Sequence, residues 1–202
     1  MDVIDTVSCI KAEINNVTTL LRLNTKWSGN QRYLNSIQAK EEESLVNQFR
    51  SLNEYLEGLF NISDIDCVRF LTPFKDIIVS EHANGQLTNA SLSALCKFVL
   101  YGFMEIGTIN CKEGMGIISI CISRCVFEES DWQSDEVILL KLLELSSIIY
   151  KTNSASLLTV EASWEIFSTC LSIRNQPKAS KILLSEAENC LRHLRRKSKT
   201  MN

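Results

Sequence analysis

The chain has 202 residues, 45% of them hydrophobic and 22% charged, a balance that supports one packed domain with a real core and excludes a disordered chain. Its net charge of -3 offers no general attraction to nucleic acid. With 7 Gly and 2 Pro there are too few chain breakers for a turn-dense β-sandwich, and long helices are expected instead.

From the start, Val3, Val7, Ile10, Ile14, Val17 and Leu21 recur at spacings of three and four, which predicts an amphipathic helix ending near Asn24. Asp2, Asp5, Lys11 and Glu13 interleave with these apolar residues, so this opening is not a secretory signal peptide. The polar stretch around residues 27–40, with Ser28-Gly29-Asn30, reads as a loop. Glu41, Glu42 and Glu43 put negative charge where the first turn of a helix favours it, and Leu45, Phe49, Leu52 and Leu56 continue as the buried face. Ser63-Asp64 can cap a short helix over Cys67 to Leu71. Pro73 cannot continue that helix and is expected to open the next, over Phe74 to Val79.

Asn84-Gly85 predicts a turn, and Thr88 an N-cap for a helix whose stripe is Leu92, Leu95, Cys96, Val99 and Leu100. Gly107, Gly114 and Gly116 predict a loop. The apolar segment Ile117 to Val126 could be strand or helix by its pattern, and the helices around it favour helix. Ser134-Asp135-Glu136 is a helix start, leading through Val137, Leu140, Leu143, Leu145 and Ile148. Thr159 caps a helix holding Trp164, Phe167 and Leu171, and Pro177 opens the last, through Ile182, Leu183, Ala187, Cys190 and Leu194. Seven or eight helices joined mostly by short loops form either a bundle or a stack. Broad hydrophobic faces favour the stack, an all-α, armadillo-like short α-solenoid of antiparallel helices spanning residues 1–202 as one domain.

Catalysis needs a base near a nucleophile, and the two histidines are poorly placed for it. His82 lies in a polar turn and His193 in the basic end. Cys121 and Cys125 stand four apart, but no second Cys/His pair completes a tetrahedral metal shell. The glycines from Gly107 to Gly116 lack the spacing and the lysine-hydroxyl pair of a phosphate loop. No catalytic, cofactor-binding or metal-binding residue is therefore assigned. The eight cysteines fall mainly at apolar helical positions, which points to reduced thiols in a cytosolic protein. No apolar run is long enough to span a bilayer.

Two features suit interaction rather than chemistry. Arg192, Arg195, Arg196, Lys197 and Lys199 place +5 in residues 192–202, so residues 1–191 carry the remaining -8 of the net -3. These cations can complement a helix dipole or touch anionic lipid headgroups. Lys97 interrupts the apolar run Leu95-Cys96-Phe98-Val99, where it can snorkel to water or act, with Glu136, as a polar anchor in a protein–protein patch.

Read in order, Phe70-Leu71-Thr72-Pro73-Phe74, Ser80-Glu81, Gly85-Gln86-Leu87-Thr88, Lys97-Phe98, Tyr101, Cys125-Val126-Phe127-Glu128, Ser134-Asp135-Glu136-Val137, Leu158-Thr159, Trp164-Glu165-Ile166, Thr169-Cys170 and Ala187-Glu188 form a familiar series. The series resembles the N-terminal DCB domain (dimerisation and cyclophilin binding) of the large Arf guanine-nucleotide exchange factors, and within them the Golgi brefeldin-A-resistance branch. It covers nearly the whole chain, including the opening helix that ends in Lys26-Trp27-Ser28. Val126 departs from the pattern, standing where the family has an arginine, and the Ile106 to Gly116 loop also differs. The resemblance implies an armadillo-like domain, non-catalytic by itself, that forms a homodimer and packs against the HUS domain of the same protein. It implies recruitment by small GTPases of the Rab and Arl types, and so a cytoplasmic protein held peripherally at Golgi membranes. It places Lys97 and Glu136 on the self-association surface. The rival expectation is a generic α-solenoid adaptor that binds a peptide or helix.

Overall fold

A computed structural model describes residues 3–28, 36–59, 64–126 and 132–198. Eight α-helices are present among them: α1 (Val3–Ser28), α2 (Ser36–Glu57), α3 (Cys67–Ile78), α4 (Gly85–Leu100), α5 (Cys111–Ser123), α6 (Trp132–Ile149), α7 (Val160–Arg174) and α8 (Lys181–Ser198). A 3-10 turn, Asn153–Leu157, joins α6 to α7, and the only extended pairings among the described residues are two isolated bridges.

The helices lie in two layers. One holds α1, α4, α6 and α8; the other holds α2, α3, α5 and α7. Within a layer the later helices run parallel. An added Cβ at Gly85 would meet Ile138 Cδ1 at 3.3 Å, which sets the starts of α4 and α6 side by side. The Ser119 hydroxyl donates to the Ala162 carbonyl (3.2 Å) and Ser123 to Glu165 (3.1 Å), keeping α5 and α7 in step. Between the layers, α7 and α8 run antiparallel, linked by Arg174 to Glu188 at 3.3 Å. This is the all-α, short solenoid stack that the hydrophobic periods predict.

The interior is centred on phenylalanines from three helices. Phe49 of α2, Phe74 of α3 and Phe98 of α4 meet edge to face with centroids 5.1 and 5.3 Å apart, and Phe70 meets Phe98 at 5.4 Å. Each such pair contributes about 0.5–1.5 kcal/mol beyond the burial of its area. On α1, Ile10, Ile14, Val17 and Leu21 are buried, as their spacing predicts.

Several boundaries differ from expectation, for physical reasons. Helix α1 continues to Ser28 and α2 begins at Ser36, so the expected loop at 27–40 shrinks to a gap whose residues 29–35 lie outside the described ones. Pro73 lies inside α3 instead of dividing it. An interior proline costs about 3 kcal/mol. Here one continuous apolar face, Phe70, Leu71, Phe74, Ile77 and Ile78, is buried on both sides of it, and each such side chain returns about 1.5–3 kcal/mol. The cap of α3 is Asp66, whose Oδ1 accepts from the Val68 and Arg69 amides; Ser63 lies outside the described residues.

Helix α4 starts at Gly85 because the Asn84 side chain accepts from the Leu87 amide at 2.9 Å; Thr88, expected as the cap, is buried within the helix. Leu100, expected in the stripe, is exposed. The segment from Ile117 is helical, but α5 opens earlier, at Cys111, and carries Gly114 and Gly116 inside it. It ends at Ser123, so Cys121 and Cys125 do not share a helix face. Thr159 caps α7 as expected, accepting from the Ala162 amide at 3.1 Å. Pro177 sits in a turn, and the α8 start is capped by Ser180, whose hydroxyl accepts from the Leu183 amide at 3.1 Å.

Candidate interaction surface

Lys97 occupies the last turn of α4. Its neighbours Leu95, Cys96, Phe98 and Val99 are buried, while its own side chain is 44% exposed and reaches back over α1. There its ammonium donates to Glu13 Oε1 at 2.5 Å. Glu13 is only 8% exposed, and its second oxygen, Oε2, is buried without a hydrogen-bond partner. The hydrogen bond from Lys97 to Glu13 holds the lysine pKa above its ordinary value, against the opposing effect of burial. A buried carboxylate is tolerated when a cation neutralises it, and Lys97 supplies that cation.

Glu136 stands near the start of α6. It accepts a hydrogen bond from the Ser180 hydroxyl, the same hydroxyl that caps α8, and so ties two neighbouring helices at one end of their layer. Lys97 and Glu136 do not meet. Lys97 stands in the last turn of α4, whereas Glu136 stands in the second turn of the parallel α6. Each carries an internal partner as well as a place on the surface.

An uncovered apolar feature lies elsewhere, on α7. Ile166, Cys170 and Ile173 face the core. Val160, Trp164, Phe167 and Leu171 recur at spacings of four, three and four on the other side. Val160 is 82% and Trp164 66% exposed. Trp164 stacks on Phe167 with centroids 5.7 Å apart, and with Tyr150 and Leu194 they line an apolar hollow of about 360 Å³. The expectation grouped Trp164, Phe167 and Leu171 as ordinary helix-face residues. Two helical stripes share α7, and periodicity alone does not say which one the neighbouring helices cover. A second hollow, about 750 Å³, runs over α4, α6 and α8 and is lined by Leu100, Leu143, Lys151, Glu186 and His193 among others.

No protein-family model matches the chain. It is 28% identical over 178 residues to the ARF guanine-nucleotide exchange factor GNL1 of Arabidopsis thaliana, covering 88% of this chain and 12% of the relative. It is 27% identical over 153 residues to the Golgi-specific brefeldin A-resistance guanine nucleotide exchange factor 1 homolog of Caenorhabditis elegans, covering 75% of this chain and 8% of that protein. Against the exchange factor GNOM of Arabidopsis thaliana the identity is 26% over 176 residues, 85% of this chain and 12% of the relative. The chain is homologous to Arf guanine-nucleotide exchange factors. It spans roughly a tenth of the length of these relatives.

In this exchange-factor homologue the residue types most often used for chemistry stand apart. His82 lies 3.7 Å from Glu41 in an exposed corner between α2 and the start of α4, and His193 is exposed on α8. Cys121 is buried and Cys125 half-buried, and among the described residues no three His, Cys, Asp or Glu side chains gather closely enough to hold a metal ion. Glu41 and Glu43 are exposed and Glu42 half-buried, inside α2. At the basic end, Arg192 and Arg195 are exposed on α8; the side chains of Arg196 and Lys197, and Lys199 with residues 200–202, lie outside the described ones. Phe127 and Glu128 also lie outside them. Among the described residues no helix is long and apolar enough to cross a membrane.

Proposed function

We propose that this chain is the DCB-type regulatory domain at the N-terminal end of a large Arf guanine-nucleotide exchange factor, non-catalytic by itself. It self-associates, packs against the HUS domain that follows it, and helps small GTPases of the Rab or Arl type bring the exchanger to Golgi membranes from the cytoplasm. The observation that carries this reading is the exposed stripe Val160, Trp164 and Leu171, flanked by half-buried Phe167, on the last helix of its layer among the described residues. A solenoid buries such a face by stacking one more helical pair on it. The homologous exchange factors have most of their length beyond the part matched here.

Self-association uses a face that includes Lys97 and Glu136. Light scattering on the chain should show a dimer, weakened by Lys97→Ala with Glu136→Ala; a strict monomer at high micromolar concentration removes the self-association claim. Docking is tested separately, with the segment following this one in the full-length protein expressed on its own. It should be captured by the chain, and Trp164→Asp should abolish capture without lowering the melting temperature. Equal capture by the variant would remove the α7 contact from the proposal.

The 750 Å³ hollow over α4, α6 and α8 supports the second reading, an adaptor that seats a peptide or helix there. That reading requires binding that survives Trp164→Asp and is lost on filling the hollow, for example by Ser147→Trp.

A further inference from the structure

Cys170 of α7 and Cys190 of α8 face each other across the terminal hairpin, both buried, with their sulfurs 3.6 Å apart. Cys170 lines neither hollow described above, and Cys190 borders the larger one. Twenty residues separate them in sequence. We propose that Cys170 and Cys190 are a reversible dithiol–disulfide pair that staples α7 to α8 when a hydroperoxide oxidises it.

Three observations favour this pair. The sulfurs are already in contact, and a disulfide needs about 2.05 Å, so side-chain rotation and a small helix adjustment close the gap. Cys190 also lines the 750 Å³ hollow, which gives a small oxidant a route to the pair. The two thiols share a hydrogen bond, which lowers the Cys170 pKa below its ordinary value and raises that of Cys190. Cys67 and Cys111 also neighbour each other, as do Cys121 and Cys125. Burial pushes Cys67 up to about 11, which keeps it protonated and unreactive.

The chemistry has two steps. The Cys170 thiolate attacks one peroxide oxygen, breaking the O–O bond, and becomes a sulfenic acid while hydroxide leaves. The Cys190 sulfur then attacks the sulfenic sulfur, its proton and the departing hydroxyl forming water. Overall, two thiols and one hydrogen peroxide give one disulfide and two waters. A small thiol such as glutathione reverses it by exchange. The bond closes a loop of about 20 residues around the hairpin that presents Val160 and Trp164. The pair's chemistry does not depend on the function proposed above.

The folded chain treated with stoichiometric hydrogen peroxide should lose two hydrogens. Tryptic digestion without reductant should link residues 152–174 to 182–192, peptides that contain one cysteine each. The melting temperature should rise by roughly 5–10 °C and return on reduction, as expected of a loop this size. Cys170→Ser, and independently Cys190→Ala, should remove the linked peptide and the peroxide-dependent rise, each variant being compared with its own reduced melting temperature. Oxidation confined to the half-buried Cys9 and Cys125, a linkage through Cys67 and Cys111 instead, or a Cys170–Cys190 link seen only after denaturation overturns the proposal.

Discussion

Glu13 and Lys97, 84 residues apart in sequence, form a 2.5 Å ion pair in which the carboxylate is buried and the ammonium half in water. It is an electrostatic tie between the first helix and the rest of the stack. Lys97 is thus a structural partner of α1 as well as a surface cation.

Lys97→Ala should therefore destabilise the chain by about 1–2 kcal/mol, less than for a fully buried pair because water already reaches the lysine end. Glu13→Gln should cost less, and the double variant less than the two costs added together. Urea denaturation of the four proteins measures this coupling. A strictly additive result would mean that the pair contributes nothing to holding α1. The same set is the control for self-association. If Glu13→Gln weakens the dimer as much as Lys97→Ala, the docking of α1 rather than the lysine surface is what the dimer needs.

Stability should fall steadily as the solution becomes alkaline, starting near pH 9. Burial pushes Cys67 up to about 11 and Cys96 and Cys125 up to about 12, from 9.0 for an ordinary thiol. Between those values the unfolded chain has released protons that the folded chain still holds. The stabilisation is thus complete below pH 9 and is lost as the pH rises through the folded values. Lys97 acts in the same direction higher up, its pKa being raised above 10.5 by Glu13. Denaturation midpoints measured from pH 8 upward, with Cys96→Ala as comparison, test this. The variant should show a shallower decline, and an unchanged slope would count against burial of Cys96 as a cause.

Two glycines on α5 should respond oppositely to alanine. At Gly114 an added Cβ would stand 2.7 Å from Cys67 Cβ and 2.9 Å from Met104 Cε, so α3 and α5 would have to part. Gly114→Ala should cost about 1–3 kcal/mol. At Gly116 nothing lies within 4 Å, and Gly116→Ala should stabilise the helix by up to about 1 kcal/mol. Thermal melts of the two variants read the difference. Equal shifts in the same direction would mean that the α3–α5 spacing is not set by Gly114.

Much of the fold was legible in the residues. The stripe Ile10, Ile14, Val17 and Leu21, the Thr159 cap of α7 and the helical character of Ile117 onward all follow from local spacing and capping chemistry. Pro73 and Gly114 misled because each is a helix breaker by local propensity. The first is carried by an apolar face that continues through it, and the second is required by the close approach of α3. Asn84 took the capping role from Thr88 because it could accept the Leu87 amide proton, freeing Thr88 to be buried.

The candidate surface divides in the same way. In the sequence Lys97 stands out as a charge amid apolar neighbours, and Trp164 as part of an apolar helix. Periodicity by itself determined that this chain is a set of amphipathic helices, because a repeat of three and four is a property of neighbours along one segment. Only the tertiary stack decided which stripe is covered. It gave Ile166 and Cys170 to the interior, left Val160 and Trp164 in water, and placed Glu13 beneath Lys97. Those choices depend on which helices lie alongside, and residues far apart in sequence become neighbours only when the layers close.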